Sequence, residues 1–205
     1  MSTALSTGST AVDEGHRTAR ERILETAGEL FYREGMRAVG IDTIIARSGV
    51  AKMSLYRNFA SKDDLICAYL EDTEGKFWSW WEGVTARHPG DARAQMKALF
   101  SALGKWTAHP KFRGCPFINT MVEFRDTDHP GRAIAERHTR AVRERLRGLA
   151  AEAGARDPDA LAGHLLLMMQ GAYAGGRTLG PEAAARAIPS AAAVLIDAAC
   201  GDQPR

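Results

Sequence analysis

The chain has 205 residues, 45% of them hydrophobic and 25% charged, with a formal net charge of +2. That is long enough for a sizeable core, as one compact domain or a small domain fused to a larger one, and it is an ordinary balance for a soluble globular protein. Its three cysteines, Cys67, Cys115 and Cys200, lie far apart without CxxC spacing, which argues against a zinc site and a disulfide scaffold and fits a reducing cytosol.

The first sixteen residues lack the basic and apolar regions of a signal peptide and are expected to form a disordered, polar tail. After them, Thr18-Ala19-Arg20-Glu21 has the form of a capping box. The helix it opens places Ile23, Leu24, Ala27, Leu30 and Phe31 on one face and ends at Gly35. Ile41, Ile44 and Ile45 mark a second, short helix, which Ser48-Gly49-Val50 breaks, Gly49 being able to take the left-handed conformation that closes a helix. A third, about Ala51 to Phe59, buries Leu55 and Phe59 and leaves Lys52, Met53, Ser54, Tyr56, Arg57 and Asn58 outside. Two helices, a glycine-containing turn and a polar, basic second helix describe a helix-turn-helix.

Ser61 caps the next helix, with Asp63 and Asp64 in its first turn. It is expected to run from Lys62 to about Arg87, burying Leu65, Ile66, Tyr69, Phe77, Trp80, Trp81 and Val84, until His88-Pro89-Gly90 stops it. Met96, Leu99, Phe100, Leu103 and Trp106 keep helical spacing in the element after it. Pro116 opens a helix that buries Phe117, Met121 and Phe124, or alternatively Ile118 and Val122. A helix from His129-Pro130-Gly131 turns Ile134, His138, Val142, Leu146 and Leu149 inward. Asp157-Pro158 opens one with Leu161, His164, Leu165, Met168, Met169 and Ala172, too short and too interrupted to span a bilayer. Gly180-Pro181 opens the last helical region, with Ala184, Ala187, Ile188, Ala191, Val194, Leu195 and Ala198, and Pro189 kinks it or marks a fresh start. Neither strand-like alternation nor an internal repeat is visible, so the fold expected is all-α with about nine helices.

The charge is unevenly spread. Residues 16–62 carry nine Lys/Arg against five Asp/Glu, an excess of four positive charges, and the remainder is mildly acidic. A basic head on an acidic body suits a polyanion-binding domain attached to a body with another task.

The stretch Gly49-Val50, Leu55-Tyr56, Phe59 and Ser61-Lys62-Asp63-Asp64-Leu65, with Phe31-Tyr32-Arg33-Glu34-Gly35 upstream, resembles the DNA-binding domain of the tetracycline-repressor (TetR) family. The likeness covers the first third of the chain. Two positions depart from the family's pattern: Gly40 stands where a threonine is frequent, and Asn58 where a histidine is common. The resemblance implies a three-helix helix-turn-helix domain at residues 17–64, after a tail at 1–16, and a larger helical effector-binding and dimerisation domain at 65–205. It implies a cytoplasmic, dimeric regulator on a palindromic DNA operator, a repressor that a small apolar effector releases. An activator, or a ligand-independent regulator of the same fold, is the alternative; an all-α enzyme ranks below both, and no cofactor or metal is expected.

In a helix-turn-helix, the N-terminal residues of the second helix meet base edges. That assigns Lys52, Met53 and Ser54 to the major groove and Tyr56, Arg57 and Lys62 to backbone phosphates, with Asn58 a further contact. The ligand cavity implied by the resemblance would draw on the body's aromatic and Met residues, with Trp81, Trp106, Phe117, Met121, Met168 and Tyr173 as candidates. Cys115 near His109 lacks the orienting third group that nucleophilic catalysis needs, and the six scattered histidines show no HxxxH pair and read as core or capping residues. Because one recognition helix covers only a half-site, a two-fold dimer is expected. Its seam would draw on Leu161, Leu165, Ala184, Ile188 and Leu195 of the two last apolar helices.

Overall fold

The computed structural model describes residues 17–125, 128–175 and 178–201. Among them stand nine α-helices and no strand: α1 (Ala19–Glu34), α2 (Ile41–Ser48), α3 (Lys52–Asn58), α4 (Lys62–Thr85), α5 (Ala92–Thr107), α6 (Pro116–Glu123), α7 (Gly131–Glu152), α8 (Pro158–Gly175) and α9 (Pro181–Cys200). They group into two compact units, one ending at Leu65 and the other beginning at Ile66. The tail expected at 1–16 lies outside the described residues.

In the first unit, the capping box forms as read: Thr18 Oγ1 accepts the Glu21 N–H at 3.2 Å, and Glu21 Oε2 accepts the Thr18 N–H at 2.8 Å. Ile23, Ala27, Leu30 and Phe31 bury the inner face of α1, which packs on α2 and α3. With Gly40 before it, α2 starts without a side-chain cap, and it closes on Gly49 at φ 65, the left-handed conformation that glycine adopts without steric cost. Leu55 is the buried residue of α3, and Phe59 just past its end is 4% exposed. Burying each of these side chains stabilises the unit by roughly 1.5–3 kcal/mol. Ser61 Oγ then accepts the Asp64 N–H at 3.0 Å and starts α4.

In the second unit, α5 lies along α9, α7 along α8 and α6 against α7. One continuous core joins Trp81 and Val84 of α4 to Met96, Leu99, Phe100 and Leu103 of α5, Val142 and Leu146 of α7, Leu161 and Leu165 of α8, and Ile188 and Ile196 of α9. Pro189 neither ends nor restarts α9, which runs through as one helix. The proline offers no N–H to the Ala185 carbonyl four residues earlier. That carbonyl lies 3.2 Å from where a Cβ on Gly104 would stand, as does Pro189 Cδ. Only glycine lets α5 approach α9 so closely.

Several inward assignments are corrected. Trp106 is 41% exposed, and Thr107 takes the buried place at the end of α5. On α6, Phe117 and Thr120 go inward with Phe124 just beyond, while Val122 is 65% exposed. Leu161, Leu165, Ala184 and Ile188 are buried within their own protomer and so are not available to a seam between two. The outer faces are different residues: Ala160, His164, Leu167, Gly171 and Ala174 on α8, and Ala183, Ala187, Ala191, Val194 and Ala198 on α9. Length and composition alone would let α9 cross a membrane, but its face of Ala184, Ile188, Ala192 and Ile196 is packed into the core.

Candidate nucleic-acid interface and interior cavity

Leu55 points α3 inward, so the side chains around it point out. Lys52, Met53, Tyr56, Arg57 and Asn58 are exposed, Met53 by 68%, and Ser54 is half-buried. No acidic residue stands in the first turn of α3. Lys52 Nζ lies 3.7 Å from Asp42 Oδ1, both well exposed, a pair too solvated to hold the lysine back from another anion. The Asn58 amide donates to the Ser54 carbonyl at 2.8 Å, satisfying its own helix. Lys62 Nζ donates to the Arg37 carbonyl at 3.1 Å, which fixes its ammonium beside the turn between α1 and α2. A lysine has three donors, so this bond leaves capacity for a phosphate.

A cavity in the second unit opens among α6, α7 and α8. Cys115, Phe117 and Ile118 line it from the start of α6, His138, Thr139 and Val142 from α7, Leu166, Met169, Gln170 and Tyr173 from α8, and Phe77 from α4. It is narrow, about 30 Å³, room for a couple of water molecules. Of the six residues put forward for a pocket, Phe117 and Tyr173 are on this wall. Trp81 is core at 2% exposure, Trp106 stacks on His109 at 5.4 Å, and Met121 and Met168 are half-buried away from the lining.

Sequence reading passed over the most unusual group here, His138. Its side chain is 7% exposed. The ring stacks on Phe117 at 3.7 Å and meets the edge of Phe77 at 4.7 Å. Nδ1 is sealed from solvent, with Glu74 Oε1 at 3.4 Å but without the alignment of a hydrogen bond. Glu74 Oε2 in turn accepts from Arg137 Nη2 at 3.1 Å. Desolvation lowers the His138 pKa to about 4, outweighing the opposite pull of the Glu74 carboxylate, so the ring is neutral at physiological pH. A titratable residue at an inward position of α7 was the signal available for it.

Cys115 is buried, and burial pushes its thiol up to about 11, the reverse of what a nucleophile requires. His109 is no base for it, since its Nδ1 accepts the Lys111 N–H at 3.2 Å. Among the described residues no three His, Cys, Asp or Glu side chains gather as a metal site. His129 instead stacks on Phe124 at 3.9 Å, and His164 is exposed on α8.

A short, outward-facing helix after a glycine turn, in a unit compact by itself, has the layout of a DNA-binding helix-turn-helix. The comparisons specify it further. Residues 23–69 match the model of bacterial regulatory proteins of the tetR family, and residues 92–191 match that of the tetracyclin repressor-like C-terminal domain. A TetR-family transcriptional regulator from Streptomyces coelicolor is 32% identical, with 89% of this chain and 96% of that chain covered and a TM-score of 0.85. A TetR transcriptional regulator from Chloroflexus aurantiacus is 27% identical, over 87% of this chain and 93% of that one, with a TM-score of 0.76. The chain belongs to the TetR family of transcriptional regulators, which are not enzymes. Among curated relatives, the HTH-type transcriptional activator FasR of Mycolicibacterium smegmatis is 42% identical over 52 residues, and the match spans 25% of this chain and 24% of that protein. An HTH-type transcriptional regulator of Lactococcus lactis is 26% identical over 123 residues, 58% of this chain and 62% of that protein.

Proposed function

We propose that this regulator is a homodimeric repressor which holds a palindromic operator through residues 17–64 and is released when residues 65–205 bind a small, largely apolar effector. The observation that carries the reading is the exposed face of α3. Seven residues of helix reach a few base pairs, and two copies related by a dyad are needed for a full site. Lys52, Met53 and Ser54 read base edges; Tyr56, Arg57 and Lys62 meet phosphates, and Asn58 borders them.

The outer faces of α8 and α9, small and apolar apart from His164, supply the second copy's seat. Ala160, Leu167, Gly171 and Ala174 repeat at helical spacing, as do Ala183, Ala187, Ala191, Val194 and Ala198. Leu167 and Val194 are 67% and 66% exposed in the single protomer, which is costly for a helix pair left in water. Small side chains permit close approach of a second pair of helices. The effector reading rests on the cavity, whose lining has no Asp, Glu, Lys or Arg.

Fluorescence anisotropy on DNA from upstream of the gene, with sedimentation at the same concentrations, tests the reading. A dimer that prefers two dyad-related half-sites to one supports it, and a monomer that binds a single half-site as well as a pair refutes it. Activation is the second reading, favoured by the name of the 42%-identical relative. In-vitro transcription from the bound promoter separates the two by the sign of its response.

A further inference from the structure

Met53 is the most exposed large apolar side chain among the described residues, at 68%. A lone methionine on an ordinary surface would mean nothing. Its place on α3 gives it meaning. At about 100° per residue, Met53 and Arg57 each stand about 160° from Leu55, the buried residue that fixes the helix to its unit. The two therefore form the outermost line of α3, with Lys52 and Tyr56 flanking it on one side and Ser54 and Asn58 on the other. Met53 lies in the first turn, the part that a helix of this kind presents to base edges.

Chemistry narrows what the side chain meets there. A thioether donates no hydrogen bond and accepts only weakly, so it has little to offer to phosphate oxygens or to the polar edges of the bases. The major groove exposes one apolar substituent, the 5-methyl group of thymine. Methionine is unbranched and adaptable, and settles against such a methyl from more than one approach. Asn58 is the residue type on α3 that pairs with adenine through two hydrogen bonds, yet its amide is turned back to the Ser54 carbonyl at 2.8 Å. An A·T pair beneath α3 is thus left to be recognised from the thymine side.

We infer that Met53 reads the 5-methyl group of a thymine in each half-site, and that the operator carries a T·A pair where the outermost line of α3 meets it. The inference rests on the DNA reading of residues 17–64 above and adds to it the base that one residue recognises. Lys52 and Ser54 supply hydrogen bonds to neighbouring bases. Arg57, one turn behind on the same line, carries the phosphate contact that holds the methionine in the groove.

The test uses the full-length protein and a duplex that it selects from a randomised DNA library. Each thymine of that duplex is replaced singly by deoxyuridine, which keeps the base pair and removes only the methyl. Wild-type protein should lose about fourfold in affinity at one thymine per half-site, the worth of one buried carbon group at about 0.8 kcal/mol. Met53→Ala should bind the thymine and uracil duplexes alike at that position, and Met53→Leu should keep most of the difference. Comparing both proteins on both duplexes cancels any effect of the missing methyl on DNA shape. The wild-type scan needs no variant to fold, and Met53→Ala removes no buried side chain. A scan in which no thymine matters, or a methyl effect that persists unchanged in Met53→Ala, overturns the inference and leaves the DNA reading standing. If selection enriches no sequence, the base-reading role of α3 falls and the inference with it.

Discussion

Two glycine-to-alanine substitutions should move stability in opposite directions. Gly104, within α5, meets α9 so closely that an added Cβ would stand 3.2 Å from both the Ala185 carbonyl oxygen and Pro189 Cδ. Neither neighbour can swing aside: one is helix backbone and the other a ring closed on it. Forcing a methyl into such a seam costs ~1–3 kcal/mol. Removing a glycine from a helix interior returns about 1 kcal/mol. The balance is a net destabilisation of roughly 1 kcal/mol for Gly104→Ala. Gly148, on α7, has nothing within 4 Å of the same built position, so Gly148→Ala keeps the gain of up to about 1 kcal/mol. All four tryptophans lie between residues 78 and 106, so their fluorescence during urea unfolding reports on the second unit. With a slope of ~1–3 kcal/mol per molar urea, the two midpoints should lie to either side of wild type by a few tenths of a molar or more. Protein concentration must be held constant, because association shifts apparent stability. If Gly104→Ala is as stable as Gly148→Ala, the close approach of α5 and α9 is wrong.

For DNA, Arg57→Ala should weaken all operator sequences about equally and reduce the salt slope by roughly one, whereas changes at Lys52 or Ser54 should alter base preference by ~1–3 kcal/mol per lost bidentate contact; titrations at several salt concentrations check both. Val194→Glu places a charge on the outer face of α9 and should yield a monomer with an intact core and greatly weakened operator binding, read by sedimentation and anisotropy. For pH, His138 folds with its pKa lowered from 6.5 to about 4, so between those values the unfolded chain binds the extra proton. Stability attributable to this group is complete above pH 6.5 and is lost as pH falls toward 4, with a slope of at most about 1.4 kcal/mol per pH unit. Denaturation in His138→Gln should lack that part of the slope.

The local chemistry of the first unit was legible because it depends on neighbours in sequence. A capping box, a left-handed Gly49 and the i, i+4 pair Leu55 and Phe59 are all written within a few residues of their partners. The second unit was legible in its helices but less so in which face each one buries. Outside the stripe of Glu182, Arg186 and Ser190, α9 is apolar over most of its circumference, so periodicity could not separate Ala184 and Ile188, which are core, from Ala187 and Val194, which are outer. The same ambiguity assigned core residues to the seam. Of the cavity, Phe117 and Tyr173 were recognisable as aromatics in the body. His138 gains its character from burial against Phe117 and from Glu74, 64 positions earlier on another helix, a distance that pattern cannot bridge.

The short helix α3 is anchored by little more than Leu55, with Phe59 just after its end. Structural duty and reading duty thus fall on different residues. Substitutions at Lys52, Met53, Tyr56 or Arg57 remove no buried side chain, Lys52 giving up only its solvated pair with Asp42, and exposed changes of this kind usually alter stability by less than about 0.5 kcal/mol. The target sequence can therefore drift one side chain at a time without the chain ever passing through an unfolded variant. Duplicated copies of such a gene are free to acquire new operators while keeping the same scaffold, and a laboratory library confined to these four positions should retain nearly all of its members as folded protein.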